Sequence, residues 1–466
     1  MLAVAAAIPP LAMTKALAAT RAVRIRLAPE HSLRRVPADF LGLGYEISSV
    51  ATPGLLSATN RPYVQLVRNL GREGAIRVGG NTSDYASFTA DGGALALPKG
   101  TIVNNENFRA LKSFLDATGW KLIWGLDLGQ DNLANAVDEA RAIADAAGDK
   151  LLALEIGNEP DLFGRAHRSK PGWDYPDWLD EYRRYKTAIR AALPHVAFAG
   201  PDIAGNRIDW VSSFTRDEGG DLALLTAHHY IGNSALSSST IPSMLAGDPA
   251  YAAAIRKLQA IAAAARLPYR ICETNSFYGG GKAGVSDTFA SALWVLDYLF
   301  VLLSAGCAGV NIETGVNHLG WISHYTPIGD DLAGHYGAAP EYYGMLAFAL
   351  SGGGDQIDVT CDNGGINLNA YATRQGAHDM VVTVINKDES QNAAIDIACS
   401  AKFTQAQVVR LAAPSLSAMT GVSLAGAEVN PAGIWQPAPA EPAQIARGEA
   451  RVTVPAGSAA LISLKT

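Results

Sequence analysis

The sequence is short of charge and of cysteine. Asp, Glu, Lys and Arg make up 17% of its 466 residues, and 44 acidic side chains outnumber 37 basic ones, for a net charge of −7. That balance argues against a nucleic-acid partner and gives no general pull on a polyanion such as a sulfated polysaccharide. The four cysteines, Cys272, Cys307, Cys361 and Cys399, show no metal-ligand spacing. Cys272 and Cys307 fall in apolar runs and read as small buried groups, while Cys361 and Cys399 share the C-terminal region, where sequence leaves their pairing open. No uncharged apolar run of about 20 residues occurs, so no membrane span is expected. The nearest case, Ala292 to Ala305, contains Asp297 and reads as a helix packed against a larger body. No glycine-rich phosphate fingerprint opens a helix, which weighs against a nucleotide-binding doubly wound sheet. No cofactor and no metal are expected.

Apolar residues, by contrast, are plentiful at 48%, and the length suggests a large domain plus a smaller one. Residues 1–20 are alanine-rich and apolar, with a small-residue stretch at Ala16 to Thr20. They read as a signal-peptide remnant or a disordered tail, and export is expected. From Phe40 onward, short apolar runs alternate with helical patterns: Phe40–Ile47, Ala75–Gly80, Lys121–Leu128, Leu151–Ile156, Val196–Gly200, Leu222–Ala227, Tyr269–Cys272 and Gly309–Ile312. Eight such strands separated by helices predict an α/β fold, a (β/α)8 TIM barrel over residues 38–352. Its longest helix is expected over Asp287 to Ser304 with Ser286 as cap. After Gly352 the runs become short and alternating, which predicts an accessory all-β sandwich over 353–466. Residues 21–36 include a strand, Arg21 to Leu27, with no helix after it, and this is expected to join the sandwich.

The chemistry concentrates at strand ends. Leu151 to Ile156 is followed by Gly157-Asn158-Glu159-Pro160. Proline cannot continue a ladder, so Glu159 is expected at the mouth of the fourth strand, where such barrels place their reacting groups. Glu273 closes the seventh strand by the same count, across the same mouth. Two facing carboxylates, one protonated to assist the leaving oxygen and one ionised to attack the anomeric carbon, are what glycosidic bond cleavage requires.

Together Arg77-Val78-Gly79-Gly80, Glu155-Ile156-Gly157-Asn158-Glu159-Pro160, His228-His229-Tyr230 and Glu273-Thr274-Asn275-Ser276-Phe277-Tyr278-Gly279-Gly280-Gly281 resemble glycoside hydrolase family 79, the β-glucuronidases and heparanases, and within it the bacterial exo-acting β-glucuronidases. The resemblance implies a retaining exo-β-D-glucuronidase with Glu159 as acid/base and Glu273 as nucleophile. It also implies Asn158 on the sugar hydroxyl beside the anomeric carbon, and carboxylate recognition by Tyr278, Gly279, Gly280 and Gly281. From their strand-exit positions, Arg77 is expected to keep Glu273 ionised and Tyr230 to hydrogen-bond it. His228 is expected to stay neutral. Glu46, Asn81 and Asp84 are placed to meet sugar hydroxyls. Lys282 either adds charge there or points to solvent. Asn317, His318, Trp321 and Tyr325 follow the eighth strand; His318 falls where the heparanase pattern suggests a tyrosine, and no role is carried over to it. The expected partner is a glucuronic-acid-containing saccharide or glucuronide, with no nucleic acid and no membrane, and the oligomeric state is open. The rival readings are an endo-acting heparanase-like or hyaluronan-type enzyme, another retaining hexosidase of the same clan, and a non-catalytic carbohydrate-binding protein.

Overall fold

The computed structural model describes residues 19–168, 170–205, 207–315 and 323–466. The alanine-rich N-terminus and the positions of Asn317, His318 and Trp321 lie outside the described residues.

Eight parallel strands close into a barrel in chain order. They are β1 (Leu41–Glu46), β2 (Ala75–Gly79), β3 (Lys121–Leu126), β4 (Leu151–Ile156), β5 (Phe198–Ile203), β6 (Leu222–Asn233), β7 (Tyr269–Tyr278) and β8 (Gly309–Glu313). Buried on both sides, these strands are apolar runs rather than alternating ones. The helices around them are amphipathic; Tyr175–Ala192, for example, buries Trp178, Tyr182, Tyr185 and Ile189 on one face.

Three strands run past their expected ends in ways that matter at the mouth. β6 and β7 do not stop at Ala227 and Cys272. They stay paired to Phe277↔Gly232 and Tyr278↔Asn233, forming a two-stranded wall that rises above the barrel. A register shift between Ile271 and Glu273 sets Glu273 beside His228. Bulges of this kind re-aim side chains, and nothing in a period-two pattern announces one. β5 runs on through Gly200-Pro201 to Ile203, which brings Asp202 to the strand exit. The last long helix begins at Phe289 rather than Asp287, with Thr288 rather than Ser286 at its N-cap. Ser286 is taken instead by Ser276 Oγ and by the backbone N–H of Lys282.

Beside the barrel lies an 11-stranded sheet. Its N-terminal strand, Ala19–Arg35, pairs antiparallel with Asp355–Asp362 and parallel with Gln391–Ala398. Val23, Ile25 and Leu27 on that strand share one apolar core with Ile357, Val382, Val384, Ile395, Val452 and Ile462, so the sheet folds over on itself. The opposite faces of its strands supply Val381, Ile385, Leu411 and Leu461 to the barrel's own core. The helix Phe289–Ser304 is caught between barrel and sheet, which is why it is apolar nearly all round. Asp297 is its exception: it accepts hydrogen bonds from Asn369 (2.8 Å), Tyr371 (2.8 Å) and Lys387 (2.6 Å) of the sheet. All four cysteines are free. Among the described residues, no helix is long and apolar enough to cross a membrane.

Candidate active site

Arg77 is the hub of the barrel mouth. Its side chain is 0% exposed, and its guanidinium donates to Glu155 Oε2 (3.0 Å), Glu273 Oε2 (2.9 Å), Asn158 Oδ1 (2.9 Å) and Asp202 Oδ2. The glycines of the Arg77-Val78-Gly79-Gly80 motif follow from this crowding. A Cβ on Gly79 would lie 2.6 Å from the guanidinium carbon, and one on Gly80, whose φ is +70°, would lie 2.4 Å from the Glu46 carboxyl carbon. Burial alone would lower the Arg77 pKa, but Asp202, Glu155 and Glu273 hold it well above its usual value.

Glu159 leaves β4 in the left-handed region, φ +50° and ψ +51°. Its N–H donates to the carbonyl of Asp202 (2.9 Å). Asp202 also has a positive φ, +58°, and its own N–H donates to Thr226 Oγ1 (3.2 Å). Non-glycine residues hold such conformations only where their surroundings over-determine them. Asp202 thus fixes the backbone of Glu159, and it also fixes its side chain through His228. The imidazole Nε2 meets Asp202 Oδ1 at 2.7 Å, and Nδ1 meets Glu159 Oε1 at 3.1 Å.

This corrects the expectation of a neutral His228. Burial by itself would lower its pKa, yet Asp202 and Glu273 raise it well above 6.5. Both ring nitrogens face carboxylate oxygens, so the imidazolium, a donor at both, is the form that fits. Asp202 answers with the opposite shift: burial would raise it, but Arg77 and His228 pull it down to about 2. Glu159 is raised by burial, with His228 opposing.

Across the mouth, Glu273 accepts from Arg77 at Oε2 and from the Tyr230 hydroxyl at Oε1 (2.8 Å). A carboxylate oxygen of Glu159 and one of Glu273 lie within 4.8 Å of each other. Glu159, His228 and Glu273 together have the spacing of a metal cluster, but a metal there would have to take a His228 nitrogen from Glu159 or Asp202.

A cavity of about 520 Å³ opens over these groups, lined by Glu46, Asn81, Thr82, Pro98, Glu159, Leu162, Ala204, Tyr230, Glu273, Tyr278, Gly279, Gly280 and Tyr325. Among the described residues no Lys or Arg side chain lines it. Glu46 accepts from the backbone N–H groups of Asn81 (3.2 Å) and Thr82 (2.7 Å) and from the Thr82 hydroxyl (2.7 Å). Burial and then the nearby Glu273 raise its pKa to about 7. Tyr278 is half exposed at the rim, and the N–H groups of Gly279 and Gly280 have no hydrogen-bond partner among the described residues.

Other candidates sit elsewhere. Gly281 does not line the cavity; its N–H donates to Phe277 O, and its φ of +78° turns the chain against Tyr325. Asn158 lies beneath the floor, with its Nδ2 buried and unpartnered among the described residues. Asp84 does not face the cavity. It is 1% exposed and accepts the backbone N–H groups of Leu128, Gly129 and Asn158, tying the β3 exit to the residue before Glu159. Lys282 reaches neither cavity nor solvent alone, since its ammonium donates to the carbonyls of Ser234 and Leu236.

Sequence reasoning missed Asp202 and Glu313. Glu313 ends β8 at 3% exposure, and burial, then Glu273 and Glu46, raise its pKa well above the usual carboxylate value. Each is a carboxylate at a strand exit, the same signal that singled out Glu159 and Glu273.

Residues 366–461 match the model of the glycosyl hydrolase family 79 C-terminal beta domain. A β-glucuronidase of Aspergillus niger is 28% identical over 480 residues, covering 88% of this chain and 88% of that protein. One of Neurospora crassa is 28% identical over 364 residues, covering 66% of this chain and 62% of that protein. In fold, the chain is similar to a 4-O-α-L-rhamnosyl-β-D-glucuronidase from Fusarium oxysporum 12S solved as a Rha-GlcA complex, with a TM-score of 0.76 at 19% identity over 95% of this chain and 100% of that one. A closed β/α barrel with paired carboxylates at its mouth and a β domain beside it defines a glycoside hydrolase. The chain is similar to proteins of glycoside hydrolase family 79 along most of its length, and residues 366–461 match that family's C-terminal beta domain.

Proposed function

We propose that the chain is a retaining exo-β-D-glucuronidase that removes terminal β-linked glucuronic acid. The observation that carries the reaction type is the proximity of Glu159 and Glu273, with carboxylate oxygens within 4.8 Å. Retaining enzymes hold their carboxyl groups about 5–5.5 Å apart, and inverting ones separate them further to admit a water. Glu159, whose pKa burial raises, gives its proton to the glycosidic oxygen as the C1–O bond breaks. Glu273, steadied by Arg77 and Tyr230, forms the bond to C1 from the opposite face. Glu159 then takes a proton from the water that cleaves the ester and returns Glu273 as a carboxylate. Asp202 and His228 act through Glu159 as positioning residues.

The sugar is read as a glucuronate because its carboxylate needs donors in the cavity, and Tyr278, Tyr325 and the N–H groups of Gly279 and Gly280 supply them at one edge. Glu46 and Asn81 face the hydroxyls. The lack of Lys or Arg among the described lining residues favours a single uronate over a sulfated chain. A panel of aryl β-glycosides tests this reading: glucuronide should be cleaved and glucoside barely so. Tyr278→Phe should cost roughly 1.5–3 kcal/mol in transition-state binding on the glucuronide and little on the glucoside. Wild-type preference for glucoside would overturn it. Export, expected from the alanine-rich N-terminus, belongs to the same proposal and is tested by fractionating cells that express the full chain.

A further inference from the structure

The cavity wall is not uniform. Its β1, β2, β6 and β7 sides carry Glu46, Asn81, Thr82, Tyr230, Glu273 and Tyr278, all with polar groups to offer a sugar. The side beside Glu159 is different. Leu162 lies three residues beyond the acid/base in the turn that Glu159 opens, Ala204 lies two residues beyond Asp202, and Pro98 comes from the excursion between β2 and β3. All three are aliphatic. Leu162 is 38% exposed, and the neighbours of Pro98 on its excursion, Leu95 and Leu97, are 43% and 41% exposed. The basic residue next to Pro98 is turned away, with Lys99 over the Tyr85 ring at 4.7 Å from its centroid. Asp161, beside Leu162, has one carboxylate oxygen engaged by the N–H of Ala204 at 2.9 Å.

Glu159 protonates the bridging oxygen, so whatever leaves with that oxygen rests on the Glu159 side of the cavity. Resting on the glucuronidase reading, we propose that the leaving-group site formed by Pro98, Leu162 and Ala204 takes an apolar aglycone, an alkyl, terpenoid or aryl alcohol, rather than a second sugar. A sugar there would set its hydroxyls against aliphatic surface that returns them no hydrogen bond, so it gains little from the contact. An apolar aglycone removes the exposed Leu162 and Pro98 surface from water.

The test compares two substrates whose leaving groups are both primary alcohols: a cyclohexylmethyl β-glucuronide and a disaccharide in which glucuronate is β-linked to the 6-hydroxyl of galactose. The sugar hydroxyl is the more acidic and so the better leaving group on chemistry alone. Wild-type kcat/KM should favour the cyclohexylmethyl compound by about tenfold or more. Leu162→Ser should reduce that ratio by about tenfold, the scale of losing apolar contact in a pocket. Leu162→Phe, which keeps an apolar wall, should retain the preference. A wild-type enzyme that prefers the disaccharide, or a ratio that does not move in Leu162→Ser, overturns the proposal. Glucuronyl fluoride, which has no aglycone, separates this failure from the other one. If wild type does not hydrolyse the fluoride, the glucuronidase reading itself has failed; if it does and the ratio is wrong, only the aglycone inference has.

Discussion

Carboxylates at two places in this molecule serve opposite ends. At the seam between barrel and sheet, Asp297 stands alone and is met by three donors, Asn369, Tyr371 and Lys387. At the barrel mouth, Glu46, Glu155, Glu159, Asp202, Glu273 and Glu313 crowd around two cations, Arg77 and His228. The seam is balanced and holds two parts together. The mouth has more carboxyl groups than cations to pair them, so some must remain neutral, and burial is what raises Glu46 and Glu155 to about 7. A surplus of carboxyl groups in one buried site is how two of them come to hold different protonation states. Surplus charge costs stability and supplies chemistry; balanced charge supplies stability alone.

Substitutions can separate the two. The largest effect is expected at Glu273. Glu273→Ala should lower kcat by on the order of 10⁴-fold or more, and added azide should restore turnover by giving the α-linked azide. Because it relieves like-charge crowding, Glu273→Gln should leave the melting temperature unchanged or raise it, whereas a marked drop would erase the contrast with the seam. Next comes Glu159→Ala. Its loss should reach about 10²–10⁴-fold on alkyl glucuronides, whose leaving groups need a proton, and stay small on activated aryl glucuronides. Equal losses on both would deny it the acid role.

His228 gives a finer test through pH. It lowers the Glu159 pKa against the upward push of burial, so His228→Asn should move the basic limb of kcat/KM to higher pH. A downward move contradicts the assignment. Its pairing with Asp202 also has a stability window. The raised His228 contributes stability that is fully present below its unfolded value of 6.5 and is lost as pH rises through its higher folded value. The depressed Asp202 contributes stability present above 3.8 and lost as pH falls through about 2. Asp202→Asn should therefore lower the melting temperature most between about pH 4 and 6.5. At the seam, Asp297→Asn leaves Lys387 buried with a weaker partner. The expected cost is roughly 1–3 kcal/mol of stability, read as a lower denaturation midpoint with kcat/KM unaltered.

The division between what the sequence announces and what it hides follows the same line. Alternating strands and helices are local patterns, so the barrel strands and the Asn158-Glu159-Pro160 turn are legible residue by residue. The apolar run carrying Asp297 is equally plain, although its three partners lie in a separate sheet. The paired wall of β6 and β7 is not legible, because Asn275 and Asn233 are poor strand formers held extended by pairing with Tyr230 and Tyr278. Asp202 hides behind Gly200-Pro201, a pair that reads as a strand stop. The charge of His228 depends on Asp202 and Glu273, 26 and 45 residues away along the chain, and no local pattern reports it. Reading every strand-exit carboxylate, rather than only those in a longer motif, would have found Asp202 and Glu313.

The central claim is that Glu273 attacks and Glu159 assists on one sugar with retention. It is tested most directly by incubating the enzyme with 2-deoxy-2-fluoro-β-glucuronyl fluoride and sequencing the labelled peptide by mass spectrometry. The fluorine at C2 slows breakdown of the glycosyl-enzyme, so a stoichiometric adduct should accumulate on Glu273. An adduct on any other residue, or a first-formed product of inverted anomeric configuration from an ordinary glucuronide, would contradict the account.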